Sequence, residues 1–268
     1  MGFCVRLLIL PALALSLCAP WVMAGQKGCL VCHTPHYAER GKCIACHRGD
    51  DRTGRKRVAH DGLIPGRLAW FTIGGSPHTA RGEKLLESFA CRRCHSTGGN
   101  GNRLAADLDG VLQTRQTREI ERAIASPVPS MPDFRLADAD VADLVNALLA
   151  GTSRRTANKR ERPLTVHFQD EGEKETVFEK FCGACHRALT TRHGGLGKGA
   201  IGPNLSGLFS PFYPRTFHGR ERWSEAHLKT WLANPRRVKK TALMQPVMLG
   251  SDDFARLAAI LTDRSEVD

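Results

Sequence analysis

Four copies of one pattern, Cys-x-x-Cys-His, constrain this chain more than anything else in it. They are Cys29-Leu30-Val31-Cys32-His33, Cys43-Ile44-Ala45-Cys46-His47, Cys91-Arg92-Arg93-Cys94-His95 and Cys182-Gly183-Ala184-Cys185-His186. Cysteines at this spacing can form thioether bonds to the two vinyl groups on one edge of a porphyrin. The histidine that follows then projects beneath the ring and binds iron. Two other uses compete: disulfides in an oxidising compartment, and a four-Cys zinc ribbon over Cys29, Cys32, Cys43 and Cys46. Neither requires a histidine after every second cysteine. With 11 histidines in 268 residues, chance puts one there about one time in 25, and does so at all four motifs on the order of a few times in a million. The pattern therefore predicts four covalently bound haem c groups. Their porphyrins also make up for an aromatic content of 6%, low for a chain with a large protein core.

The other two of the ten cysteines, Cys4 and Cys18, lie in an N-terminal stretch that reads as a secretory signal peptide over residues 1–24. Arg6 is its only charge, Leu7–Leu17 is apolar, and Val22-Met23-Ala24 places small residues for cleavage after Ala24. The competing reading is an uncleaved anchor, which about 17 apolar residues barely suffice to make. Cleavage predicts a soluble, periplasmic or otherwise extracytoplasmic protein whose eight remaining cysteines all fall in the four motifs.

Residues 25–78 carry two close motifs, little helical periodicity and too few residues for a protein core of their own. Residues 79–151 show a helical stripe, Leu85, Leu86 and Phe89, running into Cys91. Next come a helix with Ile120 and Ile124 capped by Thr117, the loop around Met131-Pro132, and a helix with Val141, Leu144, Val145, Leu148 and Leu149 stopping at Gly151. Residues 152–165 are polar and basic and read as a linker. Residues 166–268 repeat the order. Phe178 and Phe181 lead into Cys182, and Ser224 caps a helix with Leu228, Trp231 and Leu232 that stops at Asn234-Pro235. Met244 and Met248 follow, and Ser251 opens a last helix with Phe254, Leu257, Ala258 and Leu261.

Residues 79–151 and 166–268 each resemble the class I cytochrome c domain. The resemblance covers about two thirds of the chain and rests on the motif, the helix order and the methionine loop. It implies an all-α fold of two such domains preceded by a small, loop-rich dihaem segment. It also implies proximal ligands His95 and His186 with distal ligands Met131 and Met244, Met248 being the competitor of Met244. Gly202-Pro203-Asn204-Leu205 fits the family's turn whose proline carbonyl accepts a hydrogen bond from the proximal histidine; Gly101-Asn102-Arg103-Leu104 departs from it. More loosely, residues 25–78 resemble the dihaem pieces of multihaem cytochromes, in which histidines fill both axial positions. That implies His33 and His47 as proximal ligands. His36, His60 and His78 are the candidates for two distal positions, with His36 placed to reach the neighbouring haem, His60 following the second motif, and His78 abutting the next module.

Two imidazoles favour ferric iron, whereas a thioether raises the potential. The resemblance thus implies electron flow from a low-potential N-terminal pair toward two higher-potential sites. The expected role is an exported tetrahaem carrier between a membrane quinol-linked or periplasmic donor and a redox acceptor. Two alternatives stand beside it: a peroxidase or oxyanion reductase with one open haem in the N-terminal pair, and a polymerising wire with haems completed between subunits. The formal charge of +12 falls to about +7 once Arg6 leaves and haem propionates are counted. Basic runs at Arg55-Lys56-Arg57 and Arg236-Arg237-Val238-Lys239-Lys240 predict propionate partners, or docking on acidic redox proteins, a membrane-bound cytochrome among them, or on anionic headgroups. Export argues against nucleic acid as the partner of these basic runs.

Overall fold

The computed structural model describes residues 28–153 and 175–262. The expected signal peptide, and the basic linker from residue 154 on, lie outside these described residues. The helices are α1 Cys43–His47, α2 Lys56–Ala59, α3 Pro77–Ser88, α4 Leu108–Thr114, α5 Thr117–Ala125, α6 Asp138–Ser153, α7 Val177–Phe181, α8 Glu225–Ala233, α9 Pro235–Val238 and α10 Ser251–Thr262. Two antiparallel ribbons accompany them, which the all-α expectation did not include: β1 Ser96–Thr97 with β2 Asn100–Gly101, and β3 Ala188–Thr190 with β4 Gly194–Leu196. Among the described residues no helix is long and apolar enough to cross a membrane.

The first ribbon closes through Gly98-Gly99, whose φ values of 61° and 76° suit the tight hairpin turn that favours two left-handed residues. The carboxylate of Asp109, buried in α4, accepts from both glycine amides at 2.9 and 3.1 Å. Each ribbon begins within two residues of a CxxCH histidine, so the internal repeat includes a strand pair as well as helices.

Helix α6 is buried from Val141 through Gly151, because α3, α4, α5 and the chain at 66–72 cover it on every side. The core joins Leu86 of α3, Ile120 of α5 and Val145, Leu148 and Leu149 of α6 to Ile64, Leu68 and Ala69. The sequence places a boundary between residues 78 and 79. That boundary falls inside α3, which starts at Pro77, and residues 64–69 lend side chains to the next module's core. Two polar side chains of α6 are buried with partners. Asp143 accepts from Arg81 Nε and binds His78 Nδ1, both at 2.7 Å. Asn146 accepts from the Phe71 amide and donates to the Arg67 carbonyl, each at 2.9 Å. Asn146→Ala leaves both backbone groups without that partner; a loss of about 2 kcal/mol is expected, read as a lower thermal unfolding midpoint.

Two helix ends differ from the sequence reading. The cap of α5 is Gln116, whose amide donates to Glu119 at 2.9 Å, while Thr117 turns inward and is buried. Helix α6 continues through Gly151 to Ser153. The later module packs Phe178, Leu208, Leu228, Leu232, Leu257 and Leu261 into a second core, with α10 against α7. Ser224 Oγ caps α8 by accepting from the His227 amide at 3.2 Å. Asn234 ends α8 and caps the short α9.

Candidate haem sites

The motif histidines occupy the ends of turns or short helices. Each backbone N–H at 33, 95 and 186 donates to the carbonyl of its motif's first cysteine at 2.9 to 3.0 Å, which winds thiols and imidazole into one turn. No motif cysteine is paired in a disulfide among the described residues. Burial pushes the Cys91 and Cys182 thiols up to about 11.

Three motif histidines are held by a backbone carbonyl: His47 Nδ1 by Ile64 at 3.0 Å, His95 Nδ1 by Ala106 at 2.7 Å and His186 Nδ1 by Pro203 at 2.8 Å. A carbonyl only accepts, so Nδ1 carries the proton and Nε2 presents a lone pair, as a metal-binding imidazole requires. Burial also lowers the pKa of His95, favouring the neutral ring. For His95 the acceptor lies two residues beyond the Gly101–Leu104 stretch considered from the sequence. Gly202 lies flat against the His186 ring, where a Cβ would overlap the imidazole.

In the N-terminal segment the histidines meet in crossed pairs. His36, which follows the first motif, places Nε2 at 3.3 Å from Nε2 of His47 in the second. His60, which follows the second motif, faces His33 of the first with ring centroids 5.9 Å apart. His78 is engaged elsewhere, bound to Asp143 and stacked on Trp70 at 4.9 Å.

Between α3, α4, α5 and α6 lies a cavity of about 330 Å³, with Cys91 and His95 on its wall, Met131 lining it too, and Leu86, Phe89, Ile120 and Leu148 filling much of the rest. A thiol, a neutral imidazole, a thioether and apolar walls are among the donors and surroundings a covalently attached haem uses. In the later module Met244 packs against the core that contains Cys182, and its sulfur accepts from Trp231 Nε1 at 3.1 Å, whereas Met248 is 82% exposed. The carbonyls of Ile64 and Ala106 and the Trp231 contact were not foreseen, since no local sequence signal marks them.

The helices, the third motif and the lined cavity define a c-type cytochrome domain: an electron-transfer unit with covalently bound haem c. Residues 77–147 match the family described as cytochrome C oxidase, cbb3-type, subunit III, a match over about a quarter of the chain that starts where α3 starts. No curated protein and no solved structure matches the chain.

Proposed function

We propose that this chain is an exported tetrahaem c-type cytochrome that passes electrons from a donor to a redox acceptor through two bis-histidine sites and two histidine–methionine sites. The observation that carries the reading is the crossed pairing of His36 with His47 and His60 with His33. Histidines chosen from the sequence for unfilled axial positions stand opposite the motif histidines. In this reading the eight cysteines fix the groups covalently. His33, His47, His95 and His186 bind one face, and His60, His36, Met131 and Met244 respectively bind the other. A bound haem supplies reversible one-electron exchange; the protein sets the two ligands and keeps water from the metal.

The exposed basic runs at Arg55–Arg57 and Arg236–Lys240 supply the docking charge for an acidic redox partner, a membrane-bound cytochrome or quinol-linked complex in this reading. Association then slows as salt screens it. Loss of residues 1–24 releases the carrier outside the cytoplasm.

Mass spectrometry of the exported protein tests the reading directly and should find four added haem masses; any other number overturns it. Met131→Ala and Met244→Ala should each remove about half of the far-red methionine–iron absorption and lower one upper potential, because the thioether is what raises it. Met248→Ala should change neither. Spectra recorded through a potentiometric titration check all three variants.

A further inference from the structure

The third motif meets the later module around Arg93. Arg93, between Cys91 and Cys94, donates through Nη1 to the Asn204 carbonyl at 3.2 Å, and its guanidinium lies 5.7 Å from the centroid of the Tyr213 ring. Tyr213 is buried, and its hydroxyl donates to the same Asn204 carbonyl at 3.1 Å. Asn102 holds the Arg93 backbone by donating to its carbonyl at 2.7 Å. At Gly207, with φ of 65°, a Cβ would come within 2.6 Å of both Arg93 O and Asn102 Nδ2, so only glycine lets the two backbones approach this closely. A second contact joins the modules on the other side: Arg187 donates to the Pro129 carbonyl at 2.8 Å.

These contacts bear on the haem sites at both ends. Asn204 directly follows Pro203, whose carbonyl holds His186 Nδ1. Arg187 directly follows His186, and Pro129 is two residues before Met131. The third motif therefore grips the turn that orients the fourth motif's histidine, and the residue after that histidine grips the loop bearing Met131.

We infer that the modules around His95 and His186 form one fixed electron-exchange junction, with Arg93 as the positioning residue that holds the 202–205 turn and thereby the His186 ring. This rests on the four-haem reading. In each exchange one electron leaves the site that is oxidised and enters the site that is reduced; no bond, proton or ligand moves. A fixed junction keeps the separation constant, whereas two tethered modules would sample many separations.

The experiment uses the full-length holoprotein carrying Arg93→Ala, Arg93→Lys or, as a charge control on exposed α3, Lys84→Ala. Haem number is first counted by mass. Amide hydrogen exchange over residues 202–208 and the rate of electron equilibration between the two methionine-ligated sites after flash reduction are then measured. Arg93→Ala should speed exchange there by about tenfold, the factor expected when one charge-assisted hydrogen bond is lost, and should slow equilibration. Arg93→Lys should recover part of both, since lysine keeps the charge but not the planar guanidinium that reaches both Asn204 and the Tyr213 ring. Lys84→Ala should match the parent protein. Four haem masses with exchange and equilibration unchanged in Arg93→Ala would overturn the junction. A missing haem mass would instead overturn the four-haem reading, and hydrogen exchange would still decide whether Arg93 holds the turn.

Discussion

His36→Ala should make the reduced protein bind one equivalent of carbon monoxide, at the haem attached to Cys43 and Cys46 and not at the nearer first motif. The geometry makes this specific, since His36 Nε2 stands 3.3 Å from His47 Nε2 while the ring facing His33 belongs to His60. Removing one of two imidazoles leaves a five-coordinate, high-spin iron with a vacant face. It also removes a strong donor, so that site's potential should rise on the order of 0.1 V, within the ~0.8 V range that axial ligands command. His60→Ala should do the same at the first motif. The crossing is checked by repeating His36→Ala in a chain with Cys29→Ser and Cys32→Ser. Carbon monoxide binding that persists there assigns His36 to the second motif, whereas binding that vanishes overturns the crossed pairing. The parent protein should bind none; if it does, one iron is open and the carrier reading gives way to a catalytic one.

That crossing marks how far the sequence could be read. The spacing of the motif cysteines is local chemistry and is visible without a fold, as is the Ser224 cap, which acts within three residues. Which histidine faces which is a tertiary fact. The chain between His36 and His47 has no periodicity to place it, so the sequence offered three candidates for two positions. The acceptor for His186 was legible because Gly202-Pro203 marks its own turn; Ala106 carries no such mark. Gly151 looked like a helix stop, yet it is a close-approach position. A Cβ there would lie 3.2 Å from Asp109 Oδ1 and 3.6 Å from Thr97 Oγ1, and burial of α6 outweighs the ~1 kcal/mol a glycine costs inside a helix. Gly98-Gly99 was a hairpin signal obscured by strands of two residues each. Helix α3 opens two residues before position 79, because Pro77 takes a first helical position where its missing N–H costs nothing.

Gly82→Ala should unfold the module around His95 at a markedly lower temperature, against the usual gain from alanine in a helix. Helix α3 crosses α6 at this residue, and a Cβ would overlap the Asp143 carbonyl oxygen and come within 2.8 Å of the Ala147 Cβ. Replacing glycine by alanine in a helix is worth about 1 kcal/mol. Overpacking typically costs ~1–3 kcal/mol where side chains can yield, and here the obstacle is backbone. Separating the helices also strains the bonds of Asp143 to His78 and Arg81, and of Asn146 to Phe71 and Arg67. The expected net loss is about 3 kcal/mol, which for a module of this size lowers the midpoint by at least ~10 °C. Gly74→Ala is the comparison, because nothing lies within 4 Å of its Cβ position. In the four-haem reading half of the far-red methionine–iron band belongs to Met131, so its loss on heating, followed in a Met244→Ala background, reports this module. A midpoint for Gly82→Ala equal to that of Gly74→Ala would mean that α3 and α6 do not pack backbone to backbone. The cavity holding Cys91, His95 and Met131, which those two helices help to wall, would then lack the support described here.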